Sequence, residues 1–105
     1  MTSFTASVCG SLIEVVAGQP FAISLEENPT TGYRWEFAPD PGVVLVLSSY
    51  EADSGGGAGG GGMRQFQFLA SAPGEFMLRG KLLRSWLGDS SATKSCEITV
   101  RVLPA

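Results

Sequence analysis

The chain has 105 residues, 44% of them hydrophobic, a formal net charge of −3 and no histidine. That size and apolar content suit one domain, residues 1–105, and no apolar run approaches the roughly 20 residues of a membrane-spanning helix. The seven Lys and Arg residues are scattered without the basic stripe of a nucleic-acid binder, and the absent histidine removes the commonest general base, metal ligand and partner of a Ser or Cys nucleophile.

The N-terminal stretch MTSFTASVCGS lacks the basic region and long apolar core of a signal peptide. The compartment is left open by it: secreted or periplasmic if a leader has been removed, otherwise cytoplasmic. Cys9 and Cys96 stand near opposite ends of the chain. Two thiols alone cannot close a zinc site. They suit either a disulfide between neighbouring first and last strands or a reduced pair of buried small side chains.

A short strand is expected at residues 12–16, LIEVV. In PFAISLE, Phe21, Ile23 and Leu25 point one way and Ala22, Ser24 and Glu26 the other, the period of two that marks a strand with one buried face. Then comes Glu27-Asn28-Pro29-Thr30-Thr31-Gly32-Tyr33. Proline in the middle position disqualifies Asn28 as a glycosylation acceptor. Pro29 fixes its own φ and moves Asn28 out of the helical region, while Gly32 can take a positive φ at little cost. A tightly specified loop is expected, either as a plain turn between strands or as a functional element.

Alternation resumes in YRWEF, with Tyr33, Trp35 and Phe37 on one side. VVLVLSSY, residues 43–50, is continuously apolar, as for a strand covered on both faces or at an end. SGGGAGGGG, residues 54–62, reads as a long loop inside one sandwich, because a linker there would leave pieces of about 53 and 43 residues, each marginal alone. It is either a tolerated surface insertion or backbone offered to an extended partner. In RQFQF, Phe66 and Phe68 are set against Arg64, Gln65 and Gln67. EFMLRGKL sets Phe76, Leu78, Gly80 and Leu82 against Met77, Arg79 and Lys81. Arg84-Ser85-Trp86 precedes Gly88-Asp89, so an arginine and an indole fall at a strand end or in a hairpin loop. The tryptophan suits a half-buried core position or an interface anchor. CEITVRV closes the pattern, with Cys96, Ile98, Val100 and Val102 inward. Seven or eight short strands separated by Gly/Pro turns, with no amphipathic helix, make an all-β sandwich.

Three segments carry a further signal. Their order and spacing resemble the chagasin family of cysteine-peptidase inhibitors, which has an Asn-Pro-Thr-Thr-Gly-aromatic motif, then Gly-x-Gly-Gly, then Arg-Pro-Trp or Arg-Pro-Phe. Asn28, Pro29, Thr30, Thr31, Gly32 and Tyr33 complete the first motif. Gly59, Gly60, Gly61 and Gly62, before a strand expected to begin at Met63, match the second. Arg84, Ser85 and Trp86 match the third, with serine where the family usually has proline. The resemblance implies an immunoglobulin-like β-sandwich with the three loops at one end, and reversible, tight inhibition of papain-like cysteine peptidases. It implies that residues 29–32 lie over the catalytic cysteine, with Thr31 nearest. Residues 59–63 would line the unprimed side of the cleft, and Arg84 and Trp86 the primed side. The partner implied is a papain-like peptidase, bound by a monomer without any cofactor.

Two other classes compete. Tyr33, Trp35 and Trp86 could stack on sugar rings in an adhesion or carbohydrate-binding sandwich. An enzyme is the weaker reading, since Glu26, Glu27, Asp40 and Asp53 form no recognisable acid/base arrangement.

Overall fold

The structure is a computed structural model that describes residues 1–52 and 61–105. Its strands are β1 (Thr2–Phe4), β2 (Leu12–Val16), β3 (Phe21–Glu27), β4 (Arg34–Pro39), β5 (Val43–Ala52), β6 (Gly62–Ala70), β7 (Gly74–Leu83) and β8 (Lys94–Leu103). They form two four-stranded sheets, β1-β3-β6-β5 and β2-β8-β7-β4, packed as the expected sandwich. β1 runs parallel to β3 and β2 parallel to β8, while the remaining pairs are antiparallel.

The core follows the period of two. Phe21, Ile23 and Leu25 of β3 and Phe66, Phe68 and Ala70 of β6 face Ile13 and Val15 of β2, Leu78 of β7 and Ile98, Val100 and Val102 of β8. Each of these Val, Leu, Ile and Phe side chains taken from water contributes about 1.5–3 kcal/mol. Phe37 of β4 crosses between the sheets, its ring edge-on to Phe66 and Phe68 at centroid distances of 4.8 and 5.6 Å.

Cys9 and Cys96 are joined in a disulfide with their Cα atoms 4.8 Å apart, which decides between the two readings of the pair. The 3-10 turn Ala6–Val8 delivers Cys9 to the side of β8. There Gly10 N donates to Glu97 O (2.6 Å) and Thr99 N to Ser11 O (3.0 Å).

Of the two placements open to residues 43–50, β5 takes the end of its sheet, as an edge strand with Val44, Leu45, Val46 and Leu47 exposed. A bulge between Leu45 and Leu47 interrupts its ladder to β6. Two other expectations change. Arg64 does not share the outward face with Gln65 and Gln67, for it lies on the same side of β6 as Phe66 and points inward. The strand expected at Met63 begins one residue earlier, at Gly62.

At the opposite end from the loop between β3 and β4, Asp40 ties the turn between β4 and β5 to β7. Its carboxylate accepts hydrogen bonds from Met77 N (2.8 Å) and from Arg79 Nη1 (2.9 Å). The Met77 amide, and after it the Arg79 guanidinium, hold this carboxyl below its ordinary value of 3.8.

Candidate functional site: three loops at one end

Strand register decides which loops meet. Glu27, the last residue of β3, lies opposite Gly62, the first of β6. Arg34, the first residue of β4, lies opposite Leu83, the last of β7. The loop between β3 and β4 is therefore flanked by the segment entering β6 and by the segment leaving β7. The described parts of all three motif-bearing segments sit at one end of the sandwich.

The first loop is held by its own side chains. Asn28 Oδ1 accepts from Thr30 N (3.0 Å) and Thr30 Oγ1 (2.6 Å), an Asx turn that substitutes a side chain for backbone pairing. Thr31 N and Thr31 Oγ1 both donate to Asn28 O, at 3.2 and 2.7 Å. The same hydroxyl accepts from Tyr33 N (3.2 Å). These bonds close the 3-10 turn Pro29–Thr31 and leave Thr30 and Thr31 exposed at its surface. Gly32 follows with φ of 80°, a conformation that costs other L-residues about 1–2 kcal/mol.

The third segment packs against the first. Arg84 Nη2 reaches Thr31 O at 3.4 Å, and its guanidinium lies 4.7 Å from the centroid of the Tyr33 ring. Trp86 sits in the 3-10 turn Ser85–Leu87 and is 68% exposed. It is thus not a core residue. A Cβ placed on Gly32 would lie 2.7 Å from its Cη2 atom, so the indole rests on the bare backbone of the first loop. Serine in the usual proline position does not leave this segment unsupported. Leu87 N donates to Arg84 O (2.9 Å), and the Ser91 hydroxyl accepts from Arg84 N (3.0 Å) and donates to Gly88 O (2.7 Å).

Of the glycine motif, Gly61 and Gly62 are placed, whereas Gly59 and Gly60 lie outside the described residues. Gly61 lies beside the first loop, where a Cβ would be 3.4 Å from Glu27 O. Gly62 has no room for any side chain, because a Cβ there would meet Glu51 O and come within 2.7 Å of the Tyr50 hydroxyl. Met63 follows on β6, opposite Glu26 and Glu51. A cleft of about 660 Å³, lined by Asn28, Thr31, Tyr33, Gly61, Arg84 and Lys94 among others, separates the loops.

Beneath the loops lies a cluster that motif reading misses. The Glu27 side chain is fully buried. Its Oε1 accepts from Trp35 N (2.8 Å), and its Oε2 from Arg64 Nε (3.0 Å) and Nη2 (2.8 Å). Trp35 Nε1 donates back to Glu26 O at 2.9 Å. The Tyr50 ring covers Arg64 at 5.4 Å. The signal was available in the alternation: Glu27 continues the inward row of Phe21, Ile23 and Leu25, and Arg64 that of Phe66 and Phe68.

This end offers ordered turns, an exposed indole and close-packed glycine backbone rather than a nucleophile with its base. Such an end suits a surface that binds another molecule. Residues 14–100 match the model of the Chagasin family peptidase inhibitor I42, and the chain belongs to that family. No curated protein sequence matches it. Among solved structures it is similar to the cysteine protease inhibitor EhICP2 of Entamoeba histolytica, with a TM-score of 0.85 at 19% identity over 97% of this chain and 95% of that one. Amebosin superposes with a TM-score of 0.80 at 24% identity, over 98% of this chain and 99% of that one. PbICP-C, solved in complex with falcipain-2, gives a TM-score of 0.62 at 19% identity over 97% and 90% of the two chains.

Proposed function

We propose that the three-loop end enters the active-site cleft of a papain-family cysteine peptidase and blocks it reversibly, one inhibitor monomer to one enzyme. In this reading residues 29–32 cover the catalytic cysteine, with Thr31 nearest. Residues 59–63 pair by backbone along the unprimed side, and Arg84 and Trp86 pack on the primed side. The supporting observation is the convergence of the three motifs on one end, with the first loop already locked by Asn28, Thr30 and Thr31. A loop ordered before binding has less entropy to lose in the complex. Its internally bonded 3-10 turn is bent away from the extended path of a cleavable substrate.

Sugar stacking finds less support. Trp35 is buried, and Tyr33 is half-buried beneath Arg84. Of the three aromatics only Trp86 presents a free face.

The test is titration of papain and a cathepsin-L-like peptidase with the purified chain. Inhibition at nanomolar concentration, without cleavage of the inhibitor, is expected. Trp86→Ala should weaken it by about 2 kcal/mol, or roughly thirtyfold, with little change in melting temperature because the ring is 68% exposed. Failure against such enzymes at micromolar concentration defeats the proposal.

A further inference from the structure

We infer that Glu27 and Arg64 are positioning residues: their buried ion pair braces the first loop against the start of β6, a role that rests on the inhibitor reading above. A buried ion pair is a poor source of net stability, since apolar replacements of similar volume are often neutral or better. The placement of this one suggests a different use. Glu27 ends β3 in one sheet, and its carboxylate takes the amide of Trp35, the second residue of β4 in the other sheet. Trp35 returns a hydrogen bond to Glu26 O. Two stitches thus join the sheets at the feet of the first loop, fixing the separation of its ends.

Arg64 carries the same device to the paired ends of β5 and β6. It stands two positions beyond Gly62, which is itself paired with Glu27. Its guanidinium grips the Glu27 carboxylate by two nitrogens, and its other side is covered by Tyr50 of β5. One side chain therefore touches both strands that bound the glycine run as well as the acid anchoring the first loop. The 12% exposure of Arg64 and the zero exposure of Glu27 keep water from competing, so the geometry is set by the pair itself. Losing one partner leaves a buried charge unpaired. The strain is then relieved where structure is least supported, in the adjacent loops rather than in the β8 core.

The experiment compares Glu27→Gln, Arg64→Met and the double variant with the wild-type chain. Amide hydrogen exchange and inhibition of papain are both measured well below the melting temperature. Glu27→Gln should speed exchange at Thr31, Tyr33 and Trp35 by about tenfold or more relative to Ile98 and Val100, with a comparable loss of inhibition. Arg64→Met should do the same, and the double variant should lose no more than the worse single variant, as for two halves of one device. On long incubation the loosened first loop should be cut by the enzyme where the wild-type loop is not. Equal acceleration at loop and β8 amides would mark a merely global loss of stability and overturn the brace, as would unchanged exchange in both single variants. If the wild-type chain does not inhibit, the peptidase reading fails, while the exchange comparison still decides the brace.

Discussion

The contact between Gly32 and Trp86 separates folding cost from binding cost in one substitution. In Gly32→Ala the new methyl meets two obstacles. The backbone is at φ of 80°, which costs alanine about 1–2 kcal/mol, equivalent to a fall in melting temperature of roughly 4–16 °C for a domain of this size. That strain is present in free and bound protein alike, so it leaves the inhibition constant unchanged. The second obstacle is the indole, whose Cη2 would be 2.7 Å from the methyl, about 1 Å inside van der Waals contact between carbons. Because Trp86 is 68% exposed, the ring can swing aside at small folding cost, but it then no longer presents its face where the proposed complex needs it. Displacing an anchor of this kind is worth about 2 kcal/mol of binding, or roughly thirtyfold. The assay is a double-mutant cycle of Gly32→Ala and Trp86→Ala, read by inhibition constant and by thermal unfolding. Gly32→Ala should weaken inhibition about thirtyfold in the wild-type background and only slightly once Trp86 is gone. A full thirtyfold loss in the Trp86→Ala background would refute the reasoning.

Three other outcomes are expected. Replacing both cysteines by alanine releases a loop closed over a sequence separation of 87, for which chain entropy alone gives about 4.6 kcal/mol. Denaturant unfolding should show a loss approaching that figure, with inhibition by the folded fraction unchanged. Asp40→Asn should lower stability at neutral pH and flatten the pH dependence in acid. The Asp40 carboxyl is held below its ordinary 3.8, so its contribution is complete above that value and disappears as pH falls through the lower folded-state value; urea midpoints of both proteins between neutral pH and strong acid check this. Ser91→Ala removes the acceptor of Arg84 N and should cost about 1 kcal/mol in stability, together with a several-fold weaker inhibition constant as Arg84 and Trp86 lose their support.

The inward rows of β3, β6, β7 and β8 were legible because strict alternation admits one assignment of faces. Where alternation fails, so does the reading. The run 43–50 suits a strand covered on both sides or one at an end, because apolar composition cannot tell a central strand from an uncovered edge, and strand order is a non-local property. The pairing of Cys9 with Cys96 depends on how the N-terminal segment lies along β8, which no local pattern encodes. β1 and the turn Ala6–Val8 went unforeseen for the same reason, being three residues each and held by distant partners. At the site, the motifs named the loop residues but not what supports them. Glu27 looked like one of several unassigned carboxylates and Arg64 like a surface base, because charge was weighed above position in the row. Ser91 carries no signal of its own, since a serine in a Gly/Asp/Ser turn is unremarkable until its hydroxyl is seen to meet Arg84.

The cystine has a topological consequence for a molecule whose partner cuts chains. Cys9 lies ahead of the first loop and Cys96 beyond the third, so every segment proposed to meet the enzyme belongs to one covalent ring. A single scission in any of them opens the ring without producing two separate fragments, and the severed ends stay tethered on either side of the cut. Such damage can be borne without the inhibitor coming apart.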